Sequence, residues 1–338
     1  MIFIWVCTLL LIRASGTKLD AKPSIYNHWT CIGIKKHIDF SKPYKINIGE
    51  LPLVVWQDKQ SKQFVSRINI CKHMGSKLDN GVITANGCLK CQYHGLEHSY
   101  EDRFGETVEH DGKIFWAYKP TEKKPHSVPF SNNPEYVTSY IEVDMECSLT
   151  DSAMNTMDLR HPEYVHGGLL GFGNTIPPRN IMQYKYSNER VGVSFDYESK
   201  KSIRKLNMNT NHTSNYHMFI YPTFSWSKVS FNKDKHLIIG VHLLPLENKK
   251  TRWYITVRNN YLTSYAEKQF VKLMASTILS QDYVQMRNQY PENALKKAIM
   301  FEHIFENEDV ILWIRDMFNH YSFPDIQSCI DLYKDNRT

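Results

Sequence analysis

Runs of like charge are missing from this sequence. Lys and Arg number 41 against 35 Asp and Glu, for a formal net charge of +6 over 338 residues. The basic residues lie in scattered pairs such as Lys35-Lys36, Lys123-Lys124, Lys200-Lys201 and Lys249-Lys250. Nothing interleaves a dense basic run with aromatics, so nucleic acid is not an expected partner. A basic surface can still steer an acidic electron-transfer protein, although solvated surface charge accounts for it as well. Cysteine is also scarce. Seven residues, Cys7, Cys31, Cys71, Cys88, Cys91, Cys147 and Cys329, are too few and too unevenly spaced for a disulfide scaffold. The odd count and the close group at 71–91 point to metal ligation in a reducing, cytoplasmic compartment.

Long hydrophobic runs are nearly absent. The apolar stretch Met1–Leu11 rises only about 17 Å as a helix, against roughly 30 Å of bilayer hydrocarbon. Residues 1–16 are therefore expected to touch a membrane peripherally, form a buried first strand, or serve as a cleaved signal ending at Ala14-Ser15-Gly16. No basic residue precedes that stretch, and no twin arginine is present. No strand is followed by G-x-G-x-x-G, so no nicotinamide or flavin domain is expected within the chain. Internal repeats and low-complexity tracts are lacking too.

What remains is ordinary globular composition, 42% hydrophobic and 22% charged, in a chain long enough for two domains. From residue 26 to 120 the pattern is short β-rich runs. Leu53–Trp56, Phe64–Ile68 and Lys113–Tyr118 read as strands, with turn chemistry at Asp79-Asn80-Gly81, Asn86-Gly87 and Asp111-Gly112. Residues 121–134, punctuated by Pro125, Pro129 and Pro134, read as a linker. Residues 135–338 mix elements. Thr150-Asp151 can cap a helix running towards Arg160. Val191–Tyr197, Met218–Tyr221, His236–Leu244 and Trp253–Val257 read as strands of an antiparallel sheet. A long helix is predicted from Ser264 to about Asn288. Another is predicted from near Glu306, carrying Val310, Ile311, Ile314 and Met317 at helical spacing.

The sharpest motif is Cys71-Lys72-His73, seventeen further residues, then Cys91-Gln92-Tyr93-His94. Two turns bring two thiolates and two imidazoles to one point. Such a set can bind zinc, or a Rieske [2Fe–2S] cluster in which one iron takes both cysteines and the other both histidines. Zinc knuckles usually pair Cys with Cys, whereas here each turn supplies one Cys and one His. Gly75 and Gly95 follow the turns and let backbone N–H groups approach the sulfides. Cys88 falls outside the pattern and is expected as a small core residue.

A second constellation is Asn155-x-x-Asp158-x-x-His161-x4-His166. On a helix Asn155, Asp158 and His161 share one face, and Pro162 is expected to end it, bringing His166 beside His161. Two neutral imidazoles and a carboxylate make the facial triad of non-heme Fe(II) oxygenases. Two carboxylates compete for the third position. Asp282 interrupts the apolar stripe Met274, Ile278, Met286, where a lone carboxylate is costly unless paired or coordinated. Asp309, in Glu306-Asn307-Glu308-Asp309, opens a helix whose dipole already favours acids. His166-Gly167-Gly168-Leu169-Leu170-Gly171-Phe172-Gly173 is expected to shape a pocket rim or mobile loop.

The segment CKHMGSKLDNGVITANGCLKCQYHG resembles the ligand loops of the Rieske family. Ser76 and Tyr93 stand where respiratory members carry an extra disulfide, so the likeness is to the oxygenase and ferredoxin branch. With the histidine motif, and with Gln281–Met286 resembling a ligand segment, the chain from about Trp29 onwards is similar to Rieske-type non-heme iron oxygenases. The resemblance implies an α+β chain, with an all-β Rieske domain followed by a helix-grip catalytic domain whose antiparallel sheet folds over a long helix. It implies Cys71, His73, Cys91 and His94 at the cluster, and His161, His166 and Asp282 at a mononuclear Fe(II). By the same resemblance Asp158 is not a ligand. It links a ligand histidine to His94 of a neighbouring subunit, usually in a homotrimer. O₂ is then a co-substrate with a small organic substrate, and electrons come from NAD(P)H through a separate reductase or ferredoxin.

Overall fold

The computed structural model describes residues 25–166, 177–198, 212–247, 249–289, 300–301 and 303–320. The apolar segment 1–16 and the glycines 167–173 lie outside them.

The first part is built of three small antiparallel sheets. One orders β1 (Thr30–Ile34), β9 (Lys113–Ala117) and β8 (Glu106–His110), and another β2 (Tyr44–Ile48), β3 (Leu51–Gln57) and β4 (Phe64–Ile68). The third joins the two-residue strands β5 (Val82–Ile83), β6 (Leu89–Lys90) and β7 (Glu97–His98). β1, β4 and β9 are buried along their whole length, so they show no alternation of apolar and polar residues, and Ser66, Arg67 and Lys113 are buried with them. Asp111-Gly112 closes the β8–β9 hairpin with φ of 50° and 71°. Two successive positive φ values make the type I′ turn whose twist suits a hairpin.

The second part is one seven-stranded antiparallel sheet. Its strands are β10 (Val137–Met145), β11 (Arg179–Ser187), β12 (Arg190–Glu198), β13 (His212–Ile220), β14 (Phe224–Ser230), β15 (His236–Pro245) and β16 (Thr251–Asn259), in the order β10-β16-β15-β14-β13-β12-β11. The long helix α3 (Tyr265–Arg287) packs on β10. A capping box starts it: Ser264 Oγ accepts from Glu267 N, and Glu267 Oε2 accepts from Ser264 N at 2.9 Å. The last helix α4 (Asp309–His320) packs on β11 and β12, burying Val310, Ile314 and Met317. It begins at Asp309 rather than near Glu306, because Asn307 takes φ of 65°.

The expected helix from residue 150 towards Arg160 breaks in two. Ser148, not Thr150 or Asp151, caps α1 (Leu149–Asn155) by accepting from Asp151 N at 3.1 Å. A second helix, α2, spans His161–Val165. Pro162 therefore stands in the first turn of α2 instead of ending a helix, a place where its missing N–H costs nothing. Asn155, Asp158 and His161 accordingly do not share one helical face. No described helix is long and apolar enough to cross a membrane.

A buried ionic cluster ties the two parts together. Arg258 of β16 is 2% exposed and reaches Asp111 of the β8–β9 turn. Its guanidinium also donates to the Val128 carbonyl at 2.7 Å and to Thr138 Oγ1 at 3.2 Å. Lys113, wholly buried, lies 3.6 Å from the same Asp111 and over the Tyr140 ring. Tyr254 adds a bond from its hydroxyl to the Ile32 carbonyl at 3.0 Å.

Candidate metal centres

The two cysteine–histidine turns fold alike. Cys71 N donates to Ser76 O at 2.8 Å and Gly75 N to Cys71 O at 2.9 Å. Cys91 N donates to Leu96 O at 2.8 Å and Gly95 N to Cys91 O at 3.0 Å. Gly75 and Gly95 take φ of 78° and 73°, which reverses the chain just past each histidine. The thiols of Cys71 and Cys91 are buried, while His73 and His94 stand exposed with ring centroids 4.6 Å apart. Burial alone would raise the Cys91 thiol. Hydrogen bonds from the backbone N–H groups of Tyr93 and His94, and contact with the Cys71 thiol, hold it below its usual range instead. The Cys91 thiol is thus easier to ionise where a cluster needs a thiolate. Cys88 is half-buried rather than a core residue.

The second centre gathers residues far apart in sequence. Ligand atoms of His161, His166 and Asp282 all lie within 4.8 Å of one another. Asp282 Oδ1 is 3.1 Å from His166 Nε2 and 3.5 Å from His161 Nε2. Asp282 is 5% exposed, and its Oδ1 is buried without a hydrogen-bond partner. α2 delivers His161 at its first turn and His166 at its end, and α3 packs alongside to deliver Asp282.

Each imidazole is oriented from behind. His161 Nδ1 donates to the Asp158 carbonyl at 3.1 Å, and His166 Nδ1 donates to Gln281 Oε1 at 2.9 Å. With Nδ1 protonated, each neutral ring turns a bare Nε2 towards Asp282. Burial lowers the pKa of His161. For His166 burial is opposed, and outweighed, by the Asp282 carboxylate. The Asp158 carboxylate sits outside the cluster. Its Oδ1 accepts from Arg160 N at 2.8 Å, and its Oδ2 is 3.8 Å from His161 Nδ1.

The competing acids are engaged elsewhere. Asp309 accepts from Gln183 Nε2 at 2.8 Å, and Glu308 accepts from Phe305 N at 3.1 Å and lies 3.8 Å from Arg160. Gln281 is a site residue that sequence reasoning gave no role, and only its adjacency to Asp282 hinted at it. His217 on β13 is another. Burial, helped by the charge of His161, pushes its pKa down to about 4, and its Nδ1 has no partner. No sequence signal marks it among the alternating strand residues.

Residues 28–112 match the family described as the Rieske [2Fe-2S] domain. Over 81 residues the chain is 32% identical to pheophorbide a oxygenase, chloroplastic, of Oryza sativa subsp. japonica, covering 24% of this chain and 15% of that protein. It is 26% identical over 164 residues to the oxygenase component of dicamba O-demethylase of Stenotrophomonas maltophilia, covering 42% and 48% respectively. The chain thus spans less than half the length of these curated relatives. Dicamba monooxygenase bound to dicamba superimposes with a TM-score of 0.71 at 17% identity, over 88% of this chain and 97% of that one. NdmA of Pseudomonas putida CBB5 with caffeine superimposes with a TM-score of 0.72 at 15% identity, over 86% and 89%. A Rieske [2Fe–2S] domain at residues 28–112, followed by a seven-stranded sheet packed on a long helix, gives this chain the fold of the Rieske-type non-heme iron oxygenases.

Proposed function

We propose that this chain is an oxygenase component working through two centres. One is a [2Fe–2S] cluster on Cys71, His73, Cys91 and His94, and the other a mononuclear Fe(II) on His161, His166 and Asp282. The observation that carries this reading is the buried, unpartnered Asp282 Oδ1 facing two bare Nε2 atoms. A buried carboxylate and two imidazoles converging on one point are costly unless a cation sits among them. Residues 26–120 and 135–338 are the two domains of this reading, with 121–134 between them.

The iron would supply activation of O₂, using electrons passed on by the cluster. The chain's own residues prepare the place. The Asp158 carbonyl and Gln281 fix both histidine tautomers. Asp282 brings one negative charge to balance a dication. Phe195, edge-on to His217 at 5.0 Å, and the buried Val191, Val193 and Phe219 exclude water from the neighbouring sheet face. Such a face suits an apolar organic substrate, aromatic or sterol-like, that is hydroxylated, demethylated or desaturated. Relatives named as an O-demethylase and a flavonoid hydroxylase support that class of reaction.

A homotrimer is part of the proposal. Met74 and Tyr93, 65% and 61% exposed, flank the cluster histidines, and Tyr164, 79% exposed, lies between His161 and His166 in α2. Apolar surface beside both centres favours a second copy of the chain, with Asp158 bridging to His94 of the partner subunit. Electrons then arrive from NAD(P)H through a separate reductase or ferredoxin. The compartment is cytoplasmic, with residues 1–16 available for membrane contact.

Protein purified without oxygen is expected to hold three irons per two sulfides, and, after dithionite, the low average g value of a histidine-ligated cluster. NADH alone is expected to drive no substrate-coupled O₂ uptake until a reductase is added. Two irons per two sulfides in freshly iron-loaded protein would remove the oxygenase reading and leave an electron carrier. Gln281→Leu, which deletes the acceptor for His166 Nδ1, is expected to weaken Fe(II) binding at the second centre 10- to 100-fold. Anaerobic Fe(II) titration measures this, and an unchanged affinity would deny Gln281 its role.

A further inference from the structure

The two ligand loops share one backbone pattern but differ in what holds them from outside. In the first, Lys72 stands between Cys71 and His73, and its Nζ is 2.6 Å from Asp102 Oδ1. In the second the equivalent residue is Gln92, which carries no charge. There the Tyr93 ring lies 3.8 Å from that of His94 instead. Asp102 closes the 3-10 helix Tyr100–Asp102, and its Oδ2 accepts from Ser99 N at 3.2 Å in a capping box. Its carbonyl accepts from Arg67 Nη1 at 2.7 Å, and Arg67, on β4, is 6% exposed. Asp102 therefore ties β4, through its backbone carbonyl, to the 3-10 helix and the first ligand loop, through its carboxylate. Although burial opposes it, the Lys72 ammonium and the Ser99 N–H hold that carboxyl ionised.

We propose that the Lys72–Asp102 ion pair sets the reduction potential of the cluster, with Asp102 as a positioning residue that also cancels the charge of Lys72. This rests on the reading that Cys71, His73, Cys91 and His94 hold a [2Fe–2S] cluster. One-electron reduction adds a negative charge to the cluster, so a nearby cation favours the reduced form and a nearby anion the oxidised form. While paired, Lys72 and Asp102 largely cancel at the distance of the irons. Removing either one changes the local net charge by one, while Arg67 Nη1, 3.7 Å from Asp102 Oδ1, stays the same in every variant.

The test uses opposite charges on one contact. Asp102→Asn leaves Lys72 unbalanced and is expected to favour reduction at least threefold, raising the potential. Lys72→Met removes one positive charge while Arg67 still faces Asp102, and is expected to disfavour reduction at least threefold, lowering it. The double variant lacks the same contact but keeps the local net charge of the unaltered chain, and is expected to return to within twofold of its potential. Mediated redox titration of the intact chain, followed by visible absorbance, reads all three. Salt at 1 M, where the Debye length is about 3 Å, should shrink the split between the single variants. A purely mechanical brace would move both single variants in the same direction. That result, or a split below threefold, overturns the proposal. Absence of sulfide and of a [2Fe–2S] spectrum in the unaltered chain would instead refute the cluster reading, which separates the two failures.

Discussion

Asp282→Ala is expected to abolish iron at the second centre and leave the Rieske spectrum intact. The carboxylate supplies one of three converging ligand atoms and all of their negative charge. Without it, His161 and His166 remain as two neutral donors, too few to hold a dication against water. The cluster ligands sit in the turns after β4 and β6, on neither α2 nor α3, so iron should fall from three to two per two sulfides. Asp309→Ala is the control. Asp309 is exposed and bonds Gln183 at the start of α4, so its loss should cost at most about 1 kcal/mol of helix capping and keep all three irons. Metal analysis of the two variants decides. Three irons per two sulfides in Asp282→Ala, or two in Asp309→Ala, would reverse the assignment.

Asp111→Asn is expected to destabilise the fold by about 3–5 kcal/mol, the usual effect of removing one partner from a buried ion pair. Asp111 is the counter-ion of Arg258, 2% exposed, and of Lys113, which is wholly buried. Burial already pulls the Lys113 pKa down, and Asp111 is the main group raising it again. Asn keeps the turn, because like Asp it accepts positive φ beside a glycine. The loss is therefore electrostatic rather than conformational. Denaturant unfolding of the metal-loaded chain measures it, and a change below about 1 kcal/mol would mean that the cations find other partners. Since Arg258 also holds the Val128 carbonyl, the variant should loosen the joint between the Rieske hairpin and the large sheet.

Much of this was legible in the sequence because the chemistry is local. The Cys-x-His and Cys-x-x-His turns place donors within four residues, and the closing glycines mark the reversal. Ser264 and Glu267 announce the start of α3, which ends where Asn288 suggested. Apolar runs gave β12, β15 and β16 to within two residues and the end of β13, which starts at His212 rather than Met218, while β10, β11 and β14 were not read from the sequence. The break between α1 and α2 was not legible. The spacing of Asn155, Asp158 and His161 fits a helix, and Pro162 suits a helix start as well as it suits a stop. Tertiary packing chose the start: the chain turns at Asp158, whose carboxylate caps Arg160 N, and Tyr197 bonds the Leu159 carbonyl.

The sequence by itself determined the kind of chemistry, through donor types at short spacing, and the order of β-rich and mixed segments. Only the tertiary structure decided which distant groups meet. Gln281 and His166 are 115 positions apart, Arg258 and Asp111 147 apart, and Lys72 and Asp102 30 apart. Such pairs leave no periodic trace. Each is fixed by one hydrogen bond or ion pair whose partner is chosen by the packing of whole strands and helices, and a single buried charge satisfies its desolvation with whatever the fold brings within reach.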